Sequence, residues 1–202
     1  MKLYELSGKD KEKLLTELLE ENNLEENQIL YKLTEKKGGL FKGTTYTVTA
    51  VKLEDIIEYI KDFLKELLEK MGLEVSFESK IREEQLYIKM FSNNNAILIG
   101  KNGQTLTALQ TIVRQAVSAK IDIPPYVILD VENYKDKKNK NIEYLAKKVA
   151  KEVKKTGIDT SLENMNSYER RIVHTILKDF EGITTTSEGE EPNRHVVIKK
   201  IK

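Results

Sequence analysis

Apolar residues recur along this chain in two rhythms, one at intervals of three and four and one alternating, and these predict amphipathic helices and strands respectively. Leu14, Leu15, Leu18 and Leu19 predict a helix over residues 9–21. Residues 2–6, 28–33 and 44–51 alternate and read as strands, the last rich in β-branched side chains. Ser7 reads as a cap or turn residue before the helix. The first fifty residues therefore make a β-α-β-β unit, small enough to lean on a partner or on another domain. The stripe Ile56, Ile57, Ile60, Phe63, Leu64, Leu67 and Leu68 predicts a long helix over 53–71, closed by Gly72. Two strands follow, over 73–77 and 86–91, with a charged turn over 78–85 between them. A short apolar helix over 94–99 leads to a second amphipathic one carrying Leu106, Leu109, Ile112, Val113, Ala116 and Val117. Pro124 and Pro125 then introduce a strand over 126–131.

The last third repeats the mixture. Residues 133–141 are polar and lysine-rich, and Ile142, Leu145, Ala146, Val149 and Val153 give the next helix its inner face. Another helix over 166–180 turns Ile172, Val173, Ile176, Leu177 and Phe180 inward. Strands over 183–186 and 194–201 enclose an acidic turn around Glu188-Gly189-Glu190-Glu191-Pro192. The pattern predicts an α+β protein built of three small α/β modules in series.

One stretch stands apart, Asn95-Ala96-Ile97-Leu98-Ile99-Gly100-Lys101-Asn102-Gly103-Gln104-Thr105-Leu106. An apolar run ends in Gly-Lys-Asn-Gly and a helix begins straight after it. The two glycines let backbone approach a ligand with no Cβ in the way. The helix start adds free N–H groups and partial positive charge, so the corner suits an anion, most naturally a phosphate. A bare Gly-x-x-Gly is a weak signal, because any turn between helices can use glycines. Charge strengthens it: from Phe91 to Ile121 there is no Asp or Glu, although 33% of the chain is charged, and Lys101, Arg114 and Lys120 stand unopposed. Some of Ile97, Leu98 and Ile99 must be core, and Ile97 and Ile99 are candidates for the floor of a groove where bases lie. The Walker pattern and the dinucleotide fingerprint are both missing.

Composition narrows the classes further. There is no cysteine and only two histidines, His174 and His195, so disulfides, thiolate sites and a His-based metal centre are not expected. No run approaches the length of a membrane span, and no apolar signal region opens the chain, which fits a cytoplasmic protein without membrane insertion. No nucleophile–base pair or paired carboxylates can be read, so no catalytic residue and no cofactor is assigned. Net charge is +1 overall, but residues 133–202 carry +5 against −1 and −3 for residues 1–50 and 51–132. Residues 133–155 hold nine lysines against three acids, which as a lone feature describes a solvated helix face.

Several of these features resemble a known family. The order α-β-β-α-(Gly-Lys-Asn-Gly)-α-β over 52–131 resembles a type II KH domain, a module that clamps single strands with a Gly-x-x-Gly loop. Residues 132–202 resemble the R-three-H domain, on Asn166-Ser167-Tyr168-Glu169-Arg170-Arg171-Ile172-Val173-His174 followed by Ser187-Glu188-Gly189-Glu190-Glu191-Pro192-Asn193-Arg194. Residues 1–51 are similar to the Jag N-terminal domain, including its glycine loop with Leu40 and Phe41. All three together point to the Jag family, also called KhpB or EloR, of bacterial RNA-binding proteins. Two departures are visible: Ser167 replaces a common proline, and the long charged linker after the first module is essentially absent.

The resemblance implies a single-stranded RNA binder, with single-stranded DNA open as an alternative for the R-three-H domain. Its expected RNA-binding residues are Ile97, Ile99, Gly100, Lys101, Asn102, Gly103, Arg114, Arg170, His174 and Arg194. Physically, Arg170 and His174 are one helical turn apart, and a guanidinium fork suits phosphate. His174 could donate to a phosphate or stack on a base, or could instead hold a structural hydrogen bond. Arg194 could join them or pair with Glu190 or Glu191. The resemblance also implies a small KH-domain protein as partner, a possible homodimer, and a link to cell shape, cell-wall synthesis, division and sporulation through post-transcriptional control or a chaperone role. A protein-interaction adaptor acting through the first two modules is the competing function.

Overall fold

The computed structural model describes residues 1–37 and 43–201. The loop bearing Leu40 and Phe41 lies outside the described residues. The chain divides into two compact units, Met1–Glu132 and Asn133–Lys202.

The first unit opens with β1 (Leu3–Gly8), α1 (Lys11–Asn22), β2 (Ile29–Lys36) and β3 (Thr45–Lys52), in a sheet ordered β1-β3-β2. Both ladders are antiparallel, so β3 is central. Ser7 belongs to β1, and the helix cap is Asp10, whose carboxylate accepts from the Glu12 N–H at 3.1 Å. The reason is register: Ser7 faces Thr47 and their hydroxyls bond at 2.7 Å. Leu14 and Leu18 pack on Ile29, Val48 and Ala50, so α1 covers one face of the sheet.

β3 runs into α2 (Leu53–Lys70) with no linker between them. Lys52 is both the last residue of the strand and the N-cap of the helix. Val51 and Leu53 on either side of the joint are fully buried. The linker absent from the sequence is thus replaced by a residue that strand and helix share. An exposed Lys32–Asp122 ion pair also links β2 to the far end of the unit, with Lys32 Nζ 3.2 Å from the Asp122 carbonyl. That pair lowers the Asp122 pKa, chiefly through the hydrogen bond from Lys32.

Beyond α2 come β4 (Val75–Arg82), β5 (Gln85–Ser92), α3 (Asn95–Ile99), α4 (Gln104–Ile121) and β6 (Val127–Val131). The sheet order is β4-β5-β6, antiparallel then parallel. The expected eight-residue turn over 78–85 is replaced by two longer strands and a two-residue turn. Glu83 and Glu84 both have positive φ (47° and 62°), the backbone of a tight hairpin whose twist suits its strands. Leu86, Ile88, Met90, Val127, Leu129 and Val131 form the inner face of the sheet, under Ile56, Ile60 and Leu64 of α2 and Leu109, Val113 and Val117 of α4. Ile112, expected inward, is 43% exposed.

The second unit has α5 (Tyr134–Thr156), β7 (Thr160–Ser161), α6 (Ser167–Leu177), β8 (Ile183–Glu188) and β9 (His195–Lys200), in an antiparallel sheet ordered β7-β9-β8. The polar residues from Tyr134 onward are already helical, and Leu145 is 42% exposed rather than inward. Ala146, Ala150 and Val153 are the α5 residues that meet Val173, Leu177, Val196 and Ile198 in the core. The small alanines let α5 sit close. α6 stops at Leu177, before the expected 180.

Because Leu64 is fully buried and Ile112 is not, Leu64→Ala is expected to cost about 2–5 kcal/mol and Ile112→Ala about 0.5 kcal/mol or less. Denaturant titration followed by circular dichroism measures both.

Candidate nucleic-acid interface

In the first unit the site is a corner. α3 ends at Gly100, whose N–H donates to the Ala96 carbonyl at 2.8 Å. Gly100 has φ 70° and ψ 178°, a region essentially reserved for glycine. A Cβ there would lie 2.1 Å from Thr105 Oγ1 and 2.9 Å from the Thr105 backbone nitrogen. Lys101, Asn102 and Gly103 form a single 3₁₀ turn, with Asn102 at φ 55°. Gly103 is the N-cap of α4 at φ 84°; no side chain caps the helix, and its first turn carries no acid. The Thr107 hydroxyl donates back to the Gly103 carbonyl at 2.9 Å and braces the turn.

What the corner offers outward is therefore a helix start without a side-chain cap, the exposed Lys101 and Asn102 side chains, and apolar surface. Leu98 is fully buried, Ile99 is half-buried, and Ile97 is 46% exposed beside the glycines. The three adjacent apolar residues thus divide between core and surface.

Arg114 sits away from the corner, roughly 15 Å along α4 at 1.5 Å per residue. Its guanidinium donates twice to the Val127 carbonyl, at 3.2 and 2.7 Å, and lies 5.7 Å from the Tyr126 ring centroid. One turn earlier Gln110 Oε1 accepts from the Leu129 N–H at 3.2 Å. Together these two side chains bond the Val127 carbonyl and the Leu129 N–H on the edge of β6 away from β5.

In the second unit the start of α6 is secured by a reciprocal capping box. Asn166 Oδ1 accepts from the Glu169 N–H and Glu169 Oε2 accepts from the Asn166 N–H, both at 3.0 Å. Ser167 therefore stands in a well-capped first turn. Arg170 is only 7% exposed. Its Nη1 donates to the Met165 carbonyl and to Glu191 Oε1, each at 2.8 Å, tying the turn before β9 to the helix. His174 is half-buried over β8, with Nδ1 2.7 Å from Thr185 Oγ1 and Nε2 2.7 Å from Ser187 Oγ. Burial, and secondarily the charge of Arg170, lowers its pKa, which favours a neutral ring. Arg194 is exposed at the turn into β9, and Glu191 is engaged with Arg170 rather than with it.

The structure thus brings Ile97, Ile99, Gly100, Lys101, Asn102 and Gly103 together in one corner and sets Arg114 apart on the same helix. Arg170 and His174 share one helix face, and that face is turned to the sheet. Sequence analysis did not identify Thr185, Ser187 and Glu191 as their partners. The alternation of Thr185 and Ser187 along β8 was the available signal. Among the described residues no group of His, Cys, Asp or Glu could hold a metal ion, and no helix is long and apolar enough to cross a membrane.

A Gly-x-x-Gly corner on a three-stranded mixed sheet, followed by an Arg-x-x-x-His helix on a second sheet, defines a protein of the combined KH and R-three-H class. Comparison agrees: residues 57–127 match the family described as KhpA/KhpB, KH domain, and residues 140–200 match the R-three-H domain. RNA-binding protein KhpB of Clostridium symbiosum is 34% identical over 203 residues, covering 98% of this chain and 91% of that protein. RNA-binding protein KhpB of Bacillus subtilis (strain 168) is 33% identical over 162 residues, 79% of this chain and 78% of that protein. The protein of the same name in Lactiplantibacillus plantarum is 28% identical over 145 residues, 72% of this chain but 45% of that protein. The chain belongs to the KhpB family.

Gly100→Ala is expected to lower stability by about 1–3 kcal/mol from backbone strain, before any clash with Thr105 is counted. A shifted thermal transition measures it. For His174 the folded state binds a proton less readily than the unfolded one. Its contribution to stability is full above the ordinary value of 6.5 and is lost as pH falls through the lower folded value. The wild-type melting temperature should therefore drop more between about pH 7.5 and about pH 5.5 than that of His174→Gln.

Proposed function

We propose that this protein binds single-stranded RNA, with the Gly100–Gly103 corner holding the sugar-phosphate backbone and Ile97 and Ile99 receiving bases. The observation that carries it is the corner itself: a glycine-only conformation, an uncapped helix start and an exposed lysine, in a stretch from Phe91 to Ile121 without one acid. The names of the family relatives support RNA as the strand.

Three functional modules with boundaries near 1–51, 52–131 and 132–202 are part of the same proposal. So are Arg114, Arg170, His174 and Arg194 as parts of the interface. Arg194 acts as a direct contact. Arg114, Arg170 and His174 act from within, by fixing the surfaces around them, because their polar atoms already hold carbonyls, a carboxylate and hydroxyls. The protein works by binding rather than by catalysis, in the cytoplasm. Its biological role is post-transcriptional control linked to cell shape, wall synthesis and division, with a small KH-domain protein or a second copy of the chain as partner. A weak grip at each module becomes a firm one when both engage the same strand.

Because Gly100 is required by the backbone, the clean test lies on the two residues between the glycines. Lys101→Asp combined with Asn102→Asp is expected to weaken binding of an unstructured RNA by about tenfold or more while leaving circular dichroism unchanged. The slope of log affinity against log salt should become shallower by about 0.7 for each phosphate the variant no longer neutralises. Equal affinity and equal slope for variant and wild type would remove the corner from the interface.

A further inference from the structure

The second unit contains a groove that the corner and the Arg170/His174 face do not use. It lies between α5 and α6, has a volume near 230 Å³, and is lined by Glu143, Tyr168, Arg171, Ile172, Thr175 and Ile176. Arg170, Val173, His174 and Leu177 make the sheet side of α6; Tyr168, Arg171, Ile172 and Thr175 belong to its other side. The groove is thus separate from the motif face, though both share one helix.

Its chemistry is that of a seat for a flat, polar-edged ring. Tyr168 is 61% exposed, so its ring is open to a stacking partner. Its hydroxyl accepts a hydrogen bond from Asn139 Nδ2 at 3.2 Å, which poses the ring at one end of the groove. Ile172 and Ile176 are half-buried and form an apolar floor. Arg171 is exposed on the wall. Glu143 supplies a carboxylate, which only accepts hydrogen bonds. On α5, Lys140 and Lys147 lie one turn to either side of Glu143 and are exposed. The volume falls below the roughly 300–1,000 Å³ of sites for drug-sized ligands, so the groove suits a single ring rather than a larger molecule.

We infer that the α5/α6 groove is a second nucleotide seat, in which a base of unpaired RNA stacks on Tyr168 while Arg171, Lys140 and Lys147 meet the flanking phosphates. Charge decides the occupant. The helix that borders the groove lies in a stretch of nine lysines against three acids, which attracts a polyanion and repels a basic peptide. Glu143 is the one acid that lines the groove, and in such a seat it meets the edge of the base. Where position 4 of a pyrimidine meets it, the carboxylate accepts from the amino group of cytosine and repels the carbonyl of uracil, so in that pose cytosine is preferred to uracil. The inference rests on the RNA-binding function proposed above and extends it to a site with its own base preference.

The experiment uses the full chain and fluorescent single-stranded cytidine-rich and uridine-rich RNAs, with Tyr168→Ala, Tyr168→Phe, Arg171→Ala and Glu143→Gln, each alone and on the Lys101→Asp/Asn102→Asp background. Tyr168→Ala should weaken binding by about fivefold or more, as expected when one base no longer stacks, and Tyr168→Phe, which keeps the ring but loses the bond from Asn139, should weaken it less. Glu143→Gln should narrow the preference for cytidine. A photoreactive thiouridine placed in the cytidine-rich strand should crosslink to the peptide that contains Tyr168, a readout that a structural role for the ring does not produce and that needs no variant to fold. If wild type binds RNA and Lys101→Asp/Asn102→Asp abolishes that binding, yet the Tyr168 and Arg171 variants bind as wild type and no crosslink maps to α6, the groove is not a seat and the RNA function stands. If wild type binds no RNA at low salt, both fall.

Discussion

The glycine corner of the first unit depends on one missing atom. At Gly100 a Cβ would stand 2.9 Å from the backbone nitrogen of Thr105, closer than carbon and nitrogen can approach without something moving. Its absence lets α3 stop and α4 start within four residues, with Lys101 and Asn102 on the outside of the bend. The direction in which α4 leaves this bend sets Leu109, Val113 and Val117 against the sheet, and that packing in turn carries Gln110 and Arg114 to the free edge of β6. Fold and site are therefore the same constraint seen from two sides. The close approach that makes the turn possible is also what strips it of side-chain cover and leaves its backbone approachable.

Legibility in the sequence followed burial. The helix α2 could be read from its stripe because Ile56, Ile60, Leu64 and Leu68 all face one core and nothing interrupts their period. β4 was half hidden, since Glu78, Ser79 and Lys80 near its end are exposed on an outer strand and carry no apolar signal to extend the alternation. The first turns of α5 were hidden for the same reason: Lys135, Asp136 and Lys137 are exposed, so the helix there is written in propensity and not in pattern. Leu145 shows the opposite error. An apolar residue next to Ala146 looks like core, but the close approach of α5 uses the alanines, and the leucine is left outside.

The motif residues of the second unit carry a related lesson. A spacing of four says that Arg170 and His174 share a helix face; it does not say whether that face is wet. The neighbours decide it. Val173 and Leu177 are core residues on the same side, and they take Arg170 and His174 inward with them. Once inside, a guanidinium needs acceptors and an imidazole needs partners at both nitrogens. Met165, Glu191, Thr185 and Ser187 supply them. The pair then works as a clasp: Arg170 pins the turn before β9 and His174 pins β8.

Such a clasp has a consequence for recognition. Surface side chains on a short helix and a turn bind a flexible strand poorly if the helix and turn are themselves free to move, because ordering them costs entropy at the moment of binding. Arg170 joins α6 to Glu191, three residues before the exposed Arg194, and His174 joins the same helix to the strand that leads into that turn. The helix that carries Tyr168 and Arg171 and the turn that carries Arg194 are thereby tied to each other by these bonds. A spacing of four fixes the scaffold, and the exposed side chains around it, Tyr168, Arg171 and Arg194, are left facing solvent.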